Sequence, residues 1–184
     1  MAALMGSLGA ALATMVANLT VGKKGYEGAW AELAGMAERG QVLKDRLARA
    51  VDEDTDAFNR VMEAVRLPKG TLEQQAERTR AIEAANKAAA EVPLQTARLC
   101  LEAITLAGTA AELGNRNSVS DAGVAALAAR AGLEGATLNV RTNLGGIADA
   151  AFKASAAEAA AALEADARRL CDAVLAQVAA AISA

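Results

Sequence analysis

Histidine is missing from this chain altogether. That absence removes Ser-His-Asp and Cys-His catalysis and the ligand most often used for zinc. The only cysteines, Cys100 and Cys171, are too few for a metal cage, so no metal site is expected. Far apart in a helix-forming chain, they read as reduced, buried thiols of a cytoplasmic protein, with a disulfide left open. Aromatic residues make up only 2 % of the chain, and no basic block stands out at a net charge of −3. A nucleic-acid surface needs stacking rings and a basic face, so no such partner is expected. Runs of β-branched and aromatic residues are lacking too, which excludes a sheet.

What is present is alanine-rich helix-forming material, 54 % hydrophobic, with only two prolines in 184 residues. The expected fold is all-α: one multihelical domain spanning 1–184, built of long antiparallel helices and able to dimerise. The first 22 residues carry no charged side chain, which raises the membrane question. Alanine anchors weakly, Ser7, Thr14, Asn18 and Thr20 interrupt the stretch, and Lys23 and Lys24 follow it rather than precede it. A helix over 2–20 buried on all sides in a soluble protein or dimer is expected instead, with no membrane partner.

After a turn at Gly22–Tyr26, an apolar stripe through Met36, Leu43, Leu47, Val51, Phe58, Val61, Met62 and Val65 predicts a helix from about 27 to 65. Pro68-Lys69-Gly70 closes it, and Thr71 with Gln74 is a capping-box signature for the next. Pro93 is expected to break or kink that helix, which resumes over 94–113 and ends at Gly114. A short helix over 120–130 is then separated by Gly132 and Gly135 from one that holds Asn139 and Asn143 and stops at Gly145-Gly146. The last helix covers about 149–182.

Polar groups among apolar neighbours need partners, or cost roughly 1–3 kcal/mol each. Asn115, Asn117, Ser118, Ser120, Asp121, Asn139 and Asn143 form such a set; a polar ligand or the chain's own turns could satisfy them. Asp54 falls inside the apolar stripe, three after Val51 and four before Phe58, whereas Asp52 and Asp56 point away. On a buried face it is either a proton-exchanging group or a boundary acid paired with a cation. Asp121, in the first turn of a helix, either complements the dipole and caps Ser118 or accepts a proton or a donor-rich heterocycle. Lys23, Lys24 and Lys69 are either solvated helix ends or contacts for a substrate carboxylate or carbonyl. Asn18 and Asn86 are either interhelix hydrogen-bonding devices or pocket walls.

The strings NLTVGKKGY at 18–26, DEDTDAFNRVM at 52–62, LPKGT at 67–71, VPL at 92–94, GNRNSVSDAGVA at 114–125 and NVRTNL at 139–144 run in order over nearly the whole chain. Together they resemble the cyclodeaminase/cyclohydrolase family of folate enzymes: the C-terminal domain of formiminotransferase-cyclodeaminase and the stand-alone methenyltetrahydrofolate cyclohydrolases. The resemblance implies a helical homodimer that binds tetrahydrofolate derivatives, with no cofactor beyond that substrate. It carries over Lys23, Lys24, Tyr26, Asp54, Pro68, Lys69, Asn115, Asn117, Ser120, Asp121, Asn139 and Asn143. Among these, Asp54 or Asp121 is the expected base, and Lys24 is placed with the catalytic groups. Lys23, Tyr26, Lys69, Asn115, Asn117, Ser120, Asn139 and Asn143 are expected to bind substrate. Hydrolysis of 5,10-methenyltetrahydrofolate is the expected reaction; cyclodeamination of the 5-formimino compound and a non-catalytic dimerisation module or inactive truncated homologue are the alternatives. Two departures stand out. Gly25 replaces a third lysine, and the chain opens at MAALMGSLGAAL, so the family's N-terminal glycine-rich segment is expected to be lacking.

Overall fold

Alanine, leucine and valine at helical spacing, with glycine or proline between runs, give five helices in the structure, a computed structural model that describes residues 1–183. They are α1 (Ala2–Asn18), α2 (Trp30–Arg66), α3 (Leu72–Leu113), α4 (Val119–Leu144) and α5 (Ala150–Ser183). No strand occurs among the described residues. Successive helices run antiparallel, as their cross-links show. Ser7 donates to the Lys44 carbonyl, Arg78 to that of Val65, Asn143 to that of Ala89, and Arg141 pairs with Glu164. The Thr71 capping box forms: its hydroxyl accepts from the Gln74 amide while the Gln74 side chain accepts from the Thr71 amide.

Two expected interruptions do not occur. α3 continues without a break through Pro93, and α4 continues without a break through Gly132 and Gly135. Proline in a helix frees the carbonyl four residues earlier, here Ala89, and that carbonyl accepts from Asn143 Nδ2 at 2.6 Å. The side chain of one helix thus replaces the amide that another lacks. Gly132 is not a breaker but a contact point. A Cβ there would stand 2.8 Å from the Ala2 carbonyl and 2.9 Å from the Gly6 amide. Only a bare backbone lets α1 and α4 approach this closely, which offsets the roughly 0.5–1 kcal/mol that a helical glycine costs. Gly9 meets Ala125 and Ala129 in the same way.

The main core joins Ala13, Val16, Leu33, Met36, Leu47, Ile104 and Leu133 with many alanines. Both cysteines are buried free thiols, and burial pushes Cys100 up to about 12. A second, smaller core of Ala90, Leu94, Val140, Leu144, Ile147, Ala156 and Ala160 seats the α4–α5 connection. Within a single chain α1 is not buried on all sides, which leaves the dimer form of that expectation open. One face packs inward against α2, α3 and α4, while Leu4 (48 % exposed), Leu8 and the C-cap Leu19 (52 %) point out. No helix among the described residues is long and apolar enough to cross a membrane.

Candidate functional site

α1 and α2 pack antiparallel, with Gly6 against Leu47, so the first residues of α1 reach only the level of Val51 and Asp54. Beyond that level α2, α3 and α4 continue without α1 beside them. The space left is a cleft in two connected lobes that share Asp54 and Asn139. The inner lobe, about 160 Å³, lies over Ala2, Ala3, Pro93 and Thr96. The outer, about 380 Å³, is walled by Phe58, Val61, Asn86, Asn143 and Gly146.

This geometry corrects the expectation that Asp54 is buried. The stripe is right: Asp54 continues the line of Met36 and Leu47 along α2. Past Leu47 only Ala50, Ala57 and Ala64 of α2 stay buried, while Asp54, Phe58 (62 % exposed) and Val65 face open space. Asp54 is the only charged side chain lining either lobe. The other polar side chains of the lining are neutral amides and hydroxyls, from Thr55, Asn86, Thr96, Asn139, Thr142 and Asn143, and Met1 also lines the inner lobe.

Of the residues singled out from sequence, Asp54, Asn139 and Asn143 come together here, joined by Asn86. Asn86 lines the cleft as a wall residue, and its hydrogen bond goes not to another helix but to the Gly146 carbonyl in the α4–α5 connection, at 2.7 Å. Asn143 likewise faces the cleft while holding Ala89. Thr142, Thr96 and Phe58 lie outside the residues singled out as site candidates; no local pattern distinguishes them from ordinary helical positions.

Apart from Pro68 and Lys69 in the α2–α3 turn, the other motif residues gather at the opposite end of α4. Asp121 and Asn139 sit about 27 Å apart along that helix at 1.5 Å per residue. Here the GNRN segment is strapped to the exit of α1. The Asn115 amide donates to Thr20 Oγ1 at 2.8 Å and the Arg116 amide to the Tyr26 hydroxyl at 3.2 Å. Asn115 Oδ1 accepts from the Asn117 amide, turning the chain into α4. Gly114 is obligatory at this strap, since a Cβ would lie 2.3 Å from the Ala110 carbonyl and 2.6 Å from Val16. Ser118 is buried but makes no side-chain cap, Ser120 is exposed, and Asp121 is half-buried in the first turn of α4. Lys23 Nζ lies 5.8 Å from the centre of the Tyr26 ring and Lys24 is exposed. Gly25 adopts φ +91°, a backbone that disfavours lysine, and the Glu27 carboxylate, held below its usual range by the Gly25 amide, closes the turn. Asn18 lines an open groove between α1 and α2. Lys69 is exposed in the α2–α3 turn and lines neither lobe.

The family model described as formiminotransferase-cyclodeaminase matches residues 1–162. The chain belongs to the formiminotransferase-cyclodeaminase family. It is 48 % identical over 151 residues to the methenyltetrahydrofolate cyclohydrolase of Methylorubrum extorquens, covering 82 % of this chain and 73 % of that protein. It is 34 % identical over 152 residues to the rat formimidoyltransferase-cyclodeaminase, covering 83 % of this chain but only 28 % of that longer protein. Its fold superposes on the crystal structure of formiminotetrahydrofolate cyclodeaminase from Thermotoga maritima with a TM-score of 0.86 at 29 % identity, over 98 % of this chain and 86 % of the other.

Proposed function

We propose that this member of the family hydrolyses 5,10-methenyltetrahydrofolate to 10-formyltetrahydrofolate, using Asp54 as general base. The observation that carries the reading is the cleft's charge. Among the described residues one carboxylate is the sole charged side chain of a hollow lined otherwise by amide, hydroxyl and apolar side chains, with Met1 also lining its inner lobe. Such a site favours a cationic ligand, and the methenyl bridge is a cationic amidine. Its carbon is already electrophilic, so acid–base groups of the chain suffice and no resident cofactor is needed. Water attacks the bridge carbon while Asp54 takes its proton. The tetrahedral adduct then opens by cleavage of the bond to N5, which is protonated as it leaves. Asn86, Asn139 and Asn143 supply amide donors and acceptors for the reduced pteridine.

The chain works in this reading as a homodimer whose partner completes the site. α1 and α4 lie side by side and together expose Leu4, Leu8, Met15 and Leu19 with Val124, Leu127 and Leu138, an apolar face far from typical of a monomer. A two-fold pairing of that face near Ala131 sets Asp121 of each chain at the level of residues 139–141 of its partner. Asp121, Asn117 and Lys24 then complement the cleft they lie far from within one chain. Free buried thiols support a cytoplasmic setting.

The test is the loss of near-ultraviolet absorbance of 5,10-methenyltetrahydrofolate at neutral pH, together with ammonia release from 5-formiminotetrahydrofolate. Hydrolysis without ammonia release supports the cyclohydrolase; ammonia release alone makes the chain a cyclodeaminase, the sister reaction of the same hollow. Mixing inactive Asp54→Asn and Asp121→Asn proteins restores part of the activity if the site is shared. No recovery after demonstrated subunit exchange removes the shared site.

A further inference from the structure

One face of α3 grips the segment that joins α4 to α5. Glu83, Asn86 and Lys87 stand three and four residues apart, so their side chains project together. The Glu83 carboxylate accepts from the backbone amides of Ala148 and Asp149 at 2.9 and 3.0 Å. Lys87 Nζ donates to Asp149 at 2.7 Å, and the other Asp149 oxygen accepts from the Phe152 amide, capping α5. Between them Asn86 holds the Gly146 carbonyl. Gly146 must be bare for this, because a Cβ would come within 2.9 Å of Asn86 Nδ2. Ile147 plugs into the small core below.

Asn86 and Gly146 line the cleft opposite Asp54; Glu83 and Lys87 do not. Exposed surface pairs are worth little for stability, yet here they fix backbone at the mouth of a site. We propose that Glu83 and Lys87 are positioning residues for substrate: they clamp residues 145–149 and thereby set the wall of the cleft that faces Asp54. This inference rests on the cleft being the folate site.

Glu83→Ala and Lys87→Met are compared with wild type in steady-state turnover of 5,10-methenyltetrahydrofolate and in hydrogen exchange of the 145–149 amides. The expected result is faster exchange of the Ala148 and Asp149 amides in Glu83→Ala. KM should rise by about tenfold with kcat changed less than about twofold, the signature of lost ground-state positioning. Glu83→Gln, which keeps an acceptor oxygen, should recover part of the KM. Lys87→Met leaves both Glu83 bonds in place and decides the matter should Glu83→Ala fail to fold. A KM unchanged in both variants, beside an active wild type, overturns the clamp. A wild type without turnover overturns the folate reading instead. The clamp is then judged by hydrogen exchange alone, where equal rates at the Ala148 and Asp149 amides in wild type and Glu83→Ala sink it.

Discussion

Asn143→Ala removes the donor that stands in for the amide Pro93 does not have. The Ala89 carbonyl, on a residue only 9 % exposed, is left without the Asn143 bond of 2.6 Å and cannot find its usual helical partner. A buried acceptor stripped of its partner costs about 1–3 kcal/mol. The test is whether that cost depends on the proline. In a Pro93→Ala background the new main-chain N–H closes the ordinary bond to Ala89, and Asn143→Ala should then cost no more than about 0.5 kcal/mol, as for an ordinary polar truncation. The double-mutant cycle should thus show a coupling of about 1–2 kcal/mol between positions 93 and 143. Urea unfolding of the four proteins at one fixed protein concentration gives each free energy without confounding from association. Additivity within about 0.3 kcal/mol would refute the reasoning, since independent sites add to that precision.

Gly132→Ala should destabilise by roughly 1–3 kcal/mol, because its Cβ meets the backbone of Ala2 and Gly6. Gly35→Ala, whose Cβ meets nothing closer than an Arg39 nitrogen at 3.6 Å, should stabilise by about 0.4–1 kcal/mol in the same urea series. The clamp predicts a pH dependence. Backbone amides of Ala148 and Asp149 hold Glu83 below its usual range, Lys87 does the same to Asp149, and Lys87 itself is raised by Asp149. The carboxylate contribution is therefore complete above their unfolded values near 4 and fades as pH falls through the lower folded ones. The lysine contribution is complete below its unfolded value of about 10.4 and fades as pH rises through the folded one. Thermal melts should show an acid limb that Glu83→Gln flattens; equal limbs in both proteins would contradict this.

The helical class, the main apolar stripes and the Thr71 capping box are legible in the chain because each depends on neighbours three or four residues away. Pro93, Gly132 and Gly135 misled for the opposite reason. Their local meaning is to interrupt, and what overrides it lies elsewhere in sequence: Asn143 for Pro93, Ala2 and Gly6 for Gly132. Asp54 shows the same division. Its angular position on α2 follows from spacing, but its exposure depends on what packs over that level of α2, which periodicity does not encode. Motif strings nominated candidate site residues, yet they carried no information about distance. Only the structure separates the Asp54–Asn139–Asn143 group from the Asn115–Asp121 group at the far end of α4. The Glu83–Lys87 clamp escaped notice because glutamate and lysine four apart look like any solvated helix face.

The most direct measurement is kcat for 5,10-methenyltetrahydrofolate in Asp54→Asn against wild type, with both proteins shown to bind 5-formyltetrahydrofolate. The amide keeps the size of the side chain but cannot take the proton from water. The account predicts a fall in kcat of about 10²–10⁴-fold with binding retained. Wild-type turnover in the asparagine variant would contradict it and leave the lone carboxylate of the cleft without its assigned part in the chemistry.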